Sequence, residues 1–168
     1  MSHSKPIDDK IPLDSIDQRI LQHLSTNARV SFQDIAGELG VSRATIHERV
    51  KRMTQSGIIR SYRAVIDWTR LGYPVEALVA LQTEQGQASY HVLEDLAQIE
   101  EVEHAYLITG RFDCLVKIRA HNHEHLQQIL FDRVGKVRGF RHAETMVVLS
   151  TPLENNFLSH FLDRMEQD

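Results

Sequence analysis

The spacing of apolar residues predicts two helices in residues 13–39. Residues 13–26 place apolar side chains three or four positions apart, as on one face of an amphipathic helix. That stripe consists of Leu13, Ile16, Ile20, Leu21 and Leu24. Asp14 is the predicted N-cap, because its carboxylate can accept from free N–H groups of the first turn. A second helix is predicted to begin after Ser31 and to end at Gly40, which tolerates a left-handed backbone.

A third helix is predicted between Ser42, its N-cap, and Gly57. Its buried face consists of Ile46, Val50 and Met53. The spacing A-x3-G-x5-I, formed by Ala36, Gly40 and Ile46, is typical of a helix-turn-helix, in which a small residue lets the two helices cross closely. The alternative interpretation is a three-helix unit that has no nucleic acid partner.

Beyond Gly57 the pattern changes period. Residues 59–67 alternate apolar and polar positions, which predicts a strand, and the Gly- and Pro-containing run at 70–74 marks a linker. The remainder predicts strands at 75–83, 102–110, 113–120 and 140–150, and helices at 89–99 and 122–134. Their order, β-α-β-β-α-β, is that of the ferredoxin-like fold. The predicted fold class is therefore α+β, with a winged helix-turn-helix domain followed by a ferredoxin-like domain.

Composition narrows the class of protein. A chain of 168 residues with 42% hydrophobic and 25% charged residues favours two modest globular domains. The single cysteine, Cys114, allows no internal disulfide. No apolar run approaches the ~18 residues of a membrane span, and residues 1–12 lack the apolar core of a signal peptide. We therefore expect a cytoplasmic protein.

The net charge of −4 hides an asymmetry between the two halves of the chain. Residues 13–67 contain eight basic and six acidic residues, a net charge of +2, and residues 1–12 balance to zero, so the remainder carries −6. Between residues 41 and 63, Glu48 is the only acid among six basic residues. This distribution indicates a basic contact module joined to a domain with another task.

The predicted third helix supplies the candidate DNA contacts. The N-terminal residues of a recognition helix reach base edges, so Arg43 is the candidate for a bidentate contact to guanine. The helix N-terminus at Ser42 favours a phosphate. The full predicted set is Ser42, Arg43, Thr45, His47, Arg49, Lys51 and Arg52. For the last three, a solvated basic face is the alternative.

These segments resemble the Lrp/AsnC (feast/famine) family of transcription regulators. The resemblance covers residues 13–154 and rests on runs such as "ELGVSRATIHERVKRM", "TGRFDCLVKI" and "GFRHAETMVVLSTPLE". It implies a C-terminal domain of the RAM type, which binds an amino acid effector and oligomerises. It also implies homodimers that assemble into tetramers or octamers, and sequence-specific binding to double-stranded DNA. The expected domains are a flexible tail (1–12), a DNA-binding domain (13–67), a linker (68–74), an effector and oligomerisation domain (75–152) and an arm or short helix (153–168).

The resemblance also carries over an effector-binding set: Thr109, Gly110, Arg111, Phe112 and Asp113 from one chain, with Glu144, Thr145 and Met146 from a neighbouring subunit. Asp113 could accept from the effector's ammonium group, and Gly110 lets the backbone approach the ligand. The alternative is a plain turn in which Asp113 satisfies local backbone. Family members often have an acid directly after the Gly, so Arg111 departs from the pattern. It favours an anionic group in the ligand, and the alternative is that it faces the acids of a neighbouring subunit.

The sequence gives little support for catalysis or for metal binding. No nucleophile is paired with a base, and no phosphate-binding loop is present, so we expect neither an enzyme nor a cofactor beyond the effector. His121, His123 and His125 invite a metal interpretation, but the helix that begins after Asn122 leaves His121 outside it, and no metal site is predicted. The alternative functions are a small ferredoxin-like metabolic enzyme and an amino-acid-binding assembly protein with a helical appendage.

Overall fold

The computed structural model describes residues 11–84, 88–151 and 158. They group into two compact units that divide between Val65 and Ile66, with Leu158 in the first unit. Most of the predicted tail and of the predicted arm lies outside the described residues. Within the described ranges, no helix combines the length and apolarity needed to cross a bilayer.

Three helices form the N-terminal unit: α1 (Ser15–Thr26), α2 (Phe32–Leu39) and α3 (Arg43–Gln55). The predicted caps are confirmed. The Asp14 carboxylate accepts from the backbone N–H of Asp17 at 2.9 Å, and the Ser42 hydroxyl accepts from that of Thr45 at 3.0 Å. Gly40 ends α2 with a φ of 65°, in the left-handed region that favours glycine. These local signals explain why the helix bounds were predictable.

The helix-turn-helix spacing is confirmed by the core of this unit. Ala36 is 2% exposed and Ile46 is fully buried, so the small side chain admits the crossing helix and the isoleucine fills the space beside it. The buried core consists of Ile20, Leu21, Leu24, Ile35, Ala36, Ile46, Val50, Met53 and Ile59. This packing fixes which face of α3 stays exposed.

The strand predicted at 59–67 is wrong, and with it the wing of the predicted fold. The described part of the N-terminal unit contains no strand. Ile59 does pack into the core, but residues 60–67 are all exposed. None of the described backbone hydrogen bonds involves residues 60–67. Alternation alone cannot make a strand when no neighbouring strand takes up its backbone groups.

The C-terminal unit has the predicted order of elements: β1 (Val75–Thr83), α4 (Ala88–Leu96), β2 (Val102–Leu107), β3 (Cys114–Ala120), α5 (His123–Asp132) and β4 (Phe140–Val147). The four strands form one sheet in the order β2-β3-β1-β4, and all neighbours are antiparallel. This is the ferredoxin-like arrangement. Asn122 caps α5 as predicted, accepting from the backbone N–H of His125 at 2.8 Å.

Some predicted bounds in this unit were too long. The second strand ends at Leu107 rather than at residue 110, because the backbone turns there and Ile108 donates to the Asp113 carbonyl at 3.0 Å. Helix α5 ends at Asp132, and a single 3₁₀ turn, Val134–Lys136, follows it. The periodicity of apolar residues continues through such turns, so the pattern alone overestimates the element.

The sheet has one covered face and one open face. Along β3 the side chains alternate between buried and partly exposed, as expected for a strand with one face in the core. The covered face shares one core with α4 and α5 that includes Val79, Val116, Leu96 and Ile129. Cross-strand partners share a face, so Tyr106 (opposite Leu115) and Met146 (opposite Leu78) lie on the open face.

Candidate functional site

A stripe of exposed side chains on α3 is the first candidate site. Arg43, His47 and Lys51 follow one another at four-residue spacing, which places them on one side of the helix. The described residues provide no hydrogen bond or ion pair to any of these three side chains. Two cations and an imidazole are therefore available to a partner outside the chain.

The start of α3 is ordered by its own hydroxyl groups. The Ser42 and Thr45 side chains lie 2.8 Å apart and share a hydrogen bond. The ring of His47 makes an edge contact with the ring of Phe32 on α2, with ring centroids 6.2 Å apart. The predicted contacts at this end are therefore pre-positioned beside the N-terminus of the helix, where free N–H groups favour an anion.

The two remaining predicted contacts, Arg49 and Arg52, are engaged within the chain. Arg49 Nη1 lies 2.6 Å from Asp14 Oδ2 and 3.0 Å from Asp17 Oδ1, and Arg52 Nη2 pairs with Asp17 Oδ2. The Asp17 side chain is 1% exposed. The hydrogen bond from Arg49 holds the pKa of Asp14 below its ordinary value of 3.8. We call these four residues the clasp.

The clasp joins the first turn of α1 to the middle of α3. It gives both arginines a structural partner that competes with a DNA phosphate. The sequence pattern predicted Asp14 only as a helix cap and did not indicate this second role. A usable signal was present, since two acids open α1 while α3 carries an excess of base, but the pattern did not show which arginines they meet.

The loop between β2 and β3 is the second candidate site. Gly110 has a φ of 128°, a conformation that side chains rarely adopt. Asp113 Oδ2 accepts from the backbone N–H of Thr83 at 2.8 Å and from its hydroxyl at 3.0 Å. This contact reaches the end of β1, 30 residues away in sequence, so it differs from the local backbone role that the sequence left open as an alternative. Asp113 Oδ1 has no donor among the described residues, so the carboxylate retains capacity for a ligand.

The other residues of this loop are exposed or partly so. The guanidinium carbon of Arg111 lies 5.2 Å from the centroid of the Phe112 ring, a cation–π contact that holds the charge at the loop surface. No hydrogen bond or ion pair among the described residues engages the Arg111 side chain. Thr109 is exposed in the same loop.

The predicted contributions from β4 fall on two faces of the sheet. Glu144 lies opposite Ala80 and Met146 opposite Leu78, on the open face, whereas Thr145 lies opposite the buried Val79, on the helix side. A ligand on one face cannot contact all three side chains. No hydrogen bond or ion pair joins these residues to the loop at 109–113 within the described part of this chain. The neighbouring-subunit assignment stays a prediction.

The histidine cluster and Cys114 bear on the metal and enzyme interpretations. Among the described residues, no group of three or more histidine, cysteine, aspartate or glutamate side chains is placed to hold a metal. His121 instead contacts the rings of Tyr73 and His125, with ring centroids 3.9 Å and 5.0 Å away. Cys114 is buried in the sheet, and burial raises the pKa of its thiol, which makes it a poor nucleophile.

Comparison with known proteins covers both units. Residues 13–54 match the AsnC-type helix-turn-helix domain, and residues 76–158 match the Lrp/AsnC ligand binding domain. The chain is 35% identical over 149 residues to the HTH-type transcriptional regulator FL11 of Pyrococcus horikoshii, an alignment that spans 89% of this chain and 97% of that protein.

Solved structures share the same architecture. The structure of AsnC from Escherichia coli superposes with a TM-score of 0.83 at 30% identity, over 88% of this chain and 99% of that one. A complex of the transcriptional regulator NMB0573 from Neisseria meningitidis with L-Met gives a TM-score of 0.81 at 21% identity, over 85% of this chain and 94% of that one. At 21% identity, the likeness to NMB0573 shows a shared fold only.

Proposed function

This chain belongs to the Lrp/AsnC family of transcription regulators, and on that premise we propose that it binds specific DNA sequences and changes this binding in response to an amino acid. The observation that carries the proposal is the stripe Arg43, His47 and Lys51 on α3, exposed and unpaired among the described residues. Because a transcription regulator acts on the chromosome, we propose that the protein works in the cytoplasm.

DNA recognition follows from the geometry of α3. The helix enters the major groove with its N-terminal end toward the bases. Arg43 donates two hydrogen bonds to O6 and N7 of a guanine, and His47, one turn further on, contacts an adjacent base or phosphate. Lys51 contacts a phosphate, which adds affinity without sequence preference. A backbone phosphate lies at the helix N-terminus beside Ser42 and Thr45.

A single N-terminal unit should bind DNA weakly. Residues 13–67 carry a net charge of only +2, so few phosphates are neutralised per unit. Two units tethered in a dimer raise the effective concentration of the second contact and read a site with two-fold symmetry. We propose the open face of the sheet as the surface that joins two chains, with tetramers or octamers built from these dimers.

The open face has the character of such an interface. Tyr106 is 50% exposed and Met146 is 43% exposed, and both lie on a face that no helix in the described part of the C-terminal unit covers. Apolar side chains of this size gain most from burial against a partner.

Replacing Tyr106 with glutamate should therefore shift the protein toward monomer at micromolar concentration. The new charge would have to be buried without a partner at the interface. Light scattering coupled to size exclusion measures the mass. Phe131→Glu is the matched control, because Phe131 is 70% exposed but lies on α5, away from the open face. A Tyr106→Glu protein that stays dimeric would place the interface elsewhere.

We propose that the amino acid binds at the loop of residues 109–113. Its ammonium group donates to Asp113 Oδ1, and its carboxylate accepts from backbone N–H groups beside Gly110. Arg111 lies in the same loop and attracts an anionic group of the ligand. The L-Met complex of the Neisseria meningitidis regulator supports a ligand of this class. The residues Glu144, Thr145 and Met146 are proposed to come from a second subunit.

Calorimetric titration with each common amino acid tests this site. We expect at least one to bind, and Asp113→Asn to weaken it about tenfold or more, because a charge-assisted hydrogen bond is lost while the amide oxygen still accepts from Thr83. Asp132→Asn is the control, an exposed acid on α5 outside the loop. Binding of cationic amino acids alone would contradict the role given to Arg111.

A further inference from the structure

The C-terminal unit contains a cavity that takes no part in the proposed DNA and amino acid sites. It has a volume of about 250 Å³ and lies beside the turn that precedes β1. Its walls consist of Trp68, Tyr73, Glu100, Glu101, Glu103 and Arg119. The volume equals about eight water molecules at ~30 Å³ each, enough for a small organic molecule. We call it the Trp68 cavity.

Two aromatic rings meet at right angles in its wall. The Trp68 and Tyr73 centroids lie 6.5 Å apart with an interplanar angle of 82°. The turn between them is closed by a backbone hydrogen bond from Tyr73 to the Trp68 carbonyl at 2.9 Å. His121 stacks on Tyr73, and its Nδ1 lies 2.8 Å from the Gly72 carbonyl oxygen. The aromatic wall is therefore held in place before any ligand arrives.

The carboxylates of the wall differ in their partners. Glu101 is bound by Arg133 at 2.8 Å, and Glu103 by Arg119 at 2.9 Å. Burial works to raise the pKa of Glu103, but the hydrogen bond from Arg119 and the charge of Lys117 outweigh it and hold the pKa below its ordinary value. Glu100 is exposed, and no described residue donates a hydrogen bond or forms an ion pair with it.

The single cation of the wall is already neutralised. Arg119 Nη2 lies 2.6 Å from Glu76, and Arg119 Nε lies 2.9 Å from Glu103. An incoming carboxylate would have to displace one of these acids, whereas an incoming cation meets the free Glu100. Aromatic faces also attract cations and not anions. The carboxylate of Glu100 and the aromatic rings of the wall therefore both favour a positively charged ligand.

We propose that the Trp68 cavity binds a small alkylammonium cation. Its ammonium group pairs with Glu100, and its methylene groups lie against the rings of Trp68 and Tyr73. The site involves neither α3 nor the loop at 109–113, so it is a second small-molecule site, distinct from the amino acid site.

Trp68 is the only tryptophan of the chain, so its fluorescence reports on this cavity. Full-length protein is titrated with putrescine at low ionic strength, with butane-1,4-diol as the uncharged ligand of the same length and succinate as the anionic one. We expect a saturable change with putrescine, half-complete at about 1–10 mM. The diol and succinate should give no saturable change.

Variants separate the cavity from the rest of the surface. Glu100→Gln should weaken putrescine binding about threefold to fivefold, while Glu124→Gln, an exposed acid at the start of α5, should leave it unchanged. Trp68→Ala should abolish the saturation-transfer NMR signal of the putrescine methylenes. The proposal is overturned by a fluorescence response equal for putrescine and the diol, by no saturation at ten times the upper expected half-point (roughly 0.1 M,), or by unaltered binding in Glu100→Gln.

Discussion

Replacing Asp17 with alanine should destabilise the N-terminal unit by about 2–3 kcal/mol. The Asp17 carboxylate is 1% exposed and pairs with both Arg49 and Arg52. Removing one partner of a buried ion pair is costly because the other charge is left uncompensated. The two arginine side chains reach solvent, at 22% and 53% exposure, which keeps the effect below the roughly 3–5 kcal/mol of a fully buried pair.

Urea unfolding of the full-length protein measures this effect. Asp34→Ala is the matched control, because Asp34 also occupies the first turn of a helix but is exposed, and its loss should cost about 0.5 kcal/mol or less. Equal destabilisation by the two variants would show that Asp17 acts only through the helix terminus. The clasp would then be a surface contact of little energetic value.

The clasp also gives the N-terminal unit a defined response to acid. The folded-state pKa of Asp14 is lowered by the hydrogen bond from Arg49. Its stabilising contribution is therefore fully present above the unfolded pKa of about 3.8 and is lost as pH falls below that value. An Arg49→Ala variant should show an Asp14 titration midpoint, followed by NMR, that returns toward the ordinary value.

Replacing Arg43 with alanine should weaken binding to the preferred DNA site by about 1–3 kcal/mol, which is about 5-fold to 150-fold. Arg43 is exposed at the first position of α3 and has no partner among the described residues. The lost interaction is the bidentate contact to guanine, so the loss should be confined to sites with that guanine. Binding to DNA that lacks it should change little.

Mobility-shift titrations of the preferred site and of variants at each base pair make this comparison. Lys51→Ala is the control on the same helix, and it should weaken all sequences alike and reduce the salt dependence by about one unit of slope. If Arg43→Ala lost affinity equally on every sequence, Arg43 would contact a phosphate. The stripe on α3 would then supply affinity without reading the bases.

Local sequence signals predicted most of the fold. Asp14, Ser42 and Asn122 each cap a helix through a hydrogen bond within three residues, and Gly40 ends a helix through its own backbone freedom. Such features depend on residues that are close together in the sequence, so they can be predicted from it. The strand predicted at 59–67 failed because alternation cannot show whether a neighbouring strand exists.

Long-range contacts explain what the sequence could not predict in the sites. Helical spacing correctly placed Arg49 and Arg52 outside the core but gave no sign of the clasp, since Asp17 lies more than thirty residues away in sequence. The Trp68 cavity likewise joins residues of the turn before β1 to residues around β2 and β3. The alternation of side chains along β4 could be predicted from the sequence. Only the pairing register of β4 with β1 showed that Thr145 faces the helices.

Selection from a random-sequence DNA library tests the central claim most directly. Full-length protein is used at physiological salt, with and without the amino acid that binds in calorimetry. We expect enrichment of a two-fold symmetric site whose half-sites are one helical turn, or a multiple of it, apart. We also expect the amino acid to change the affinity for that site. Recovery of DNA with no sequence enriched over the starting library would contradict sequence-specific binding by this protein.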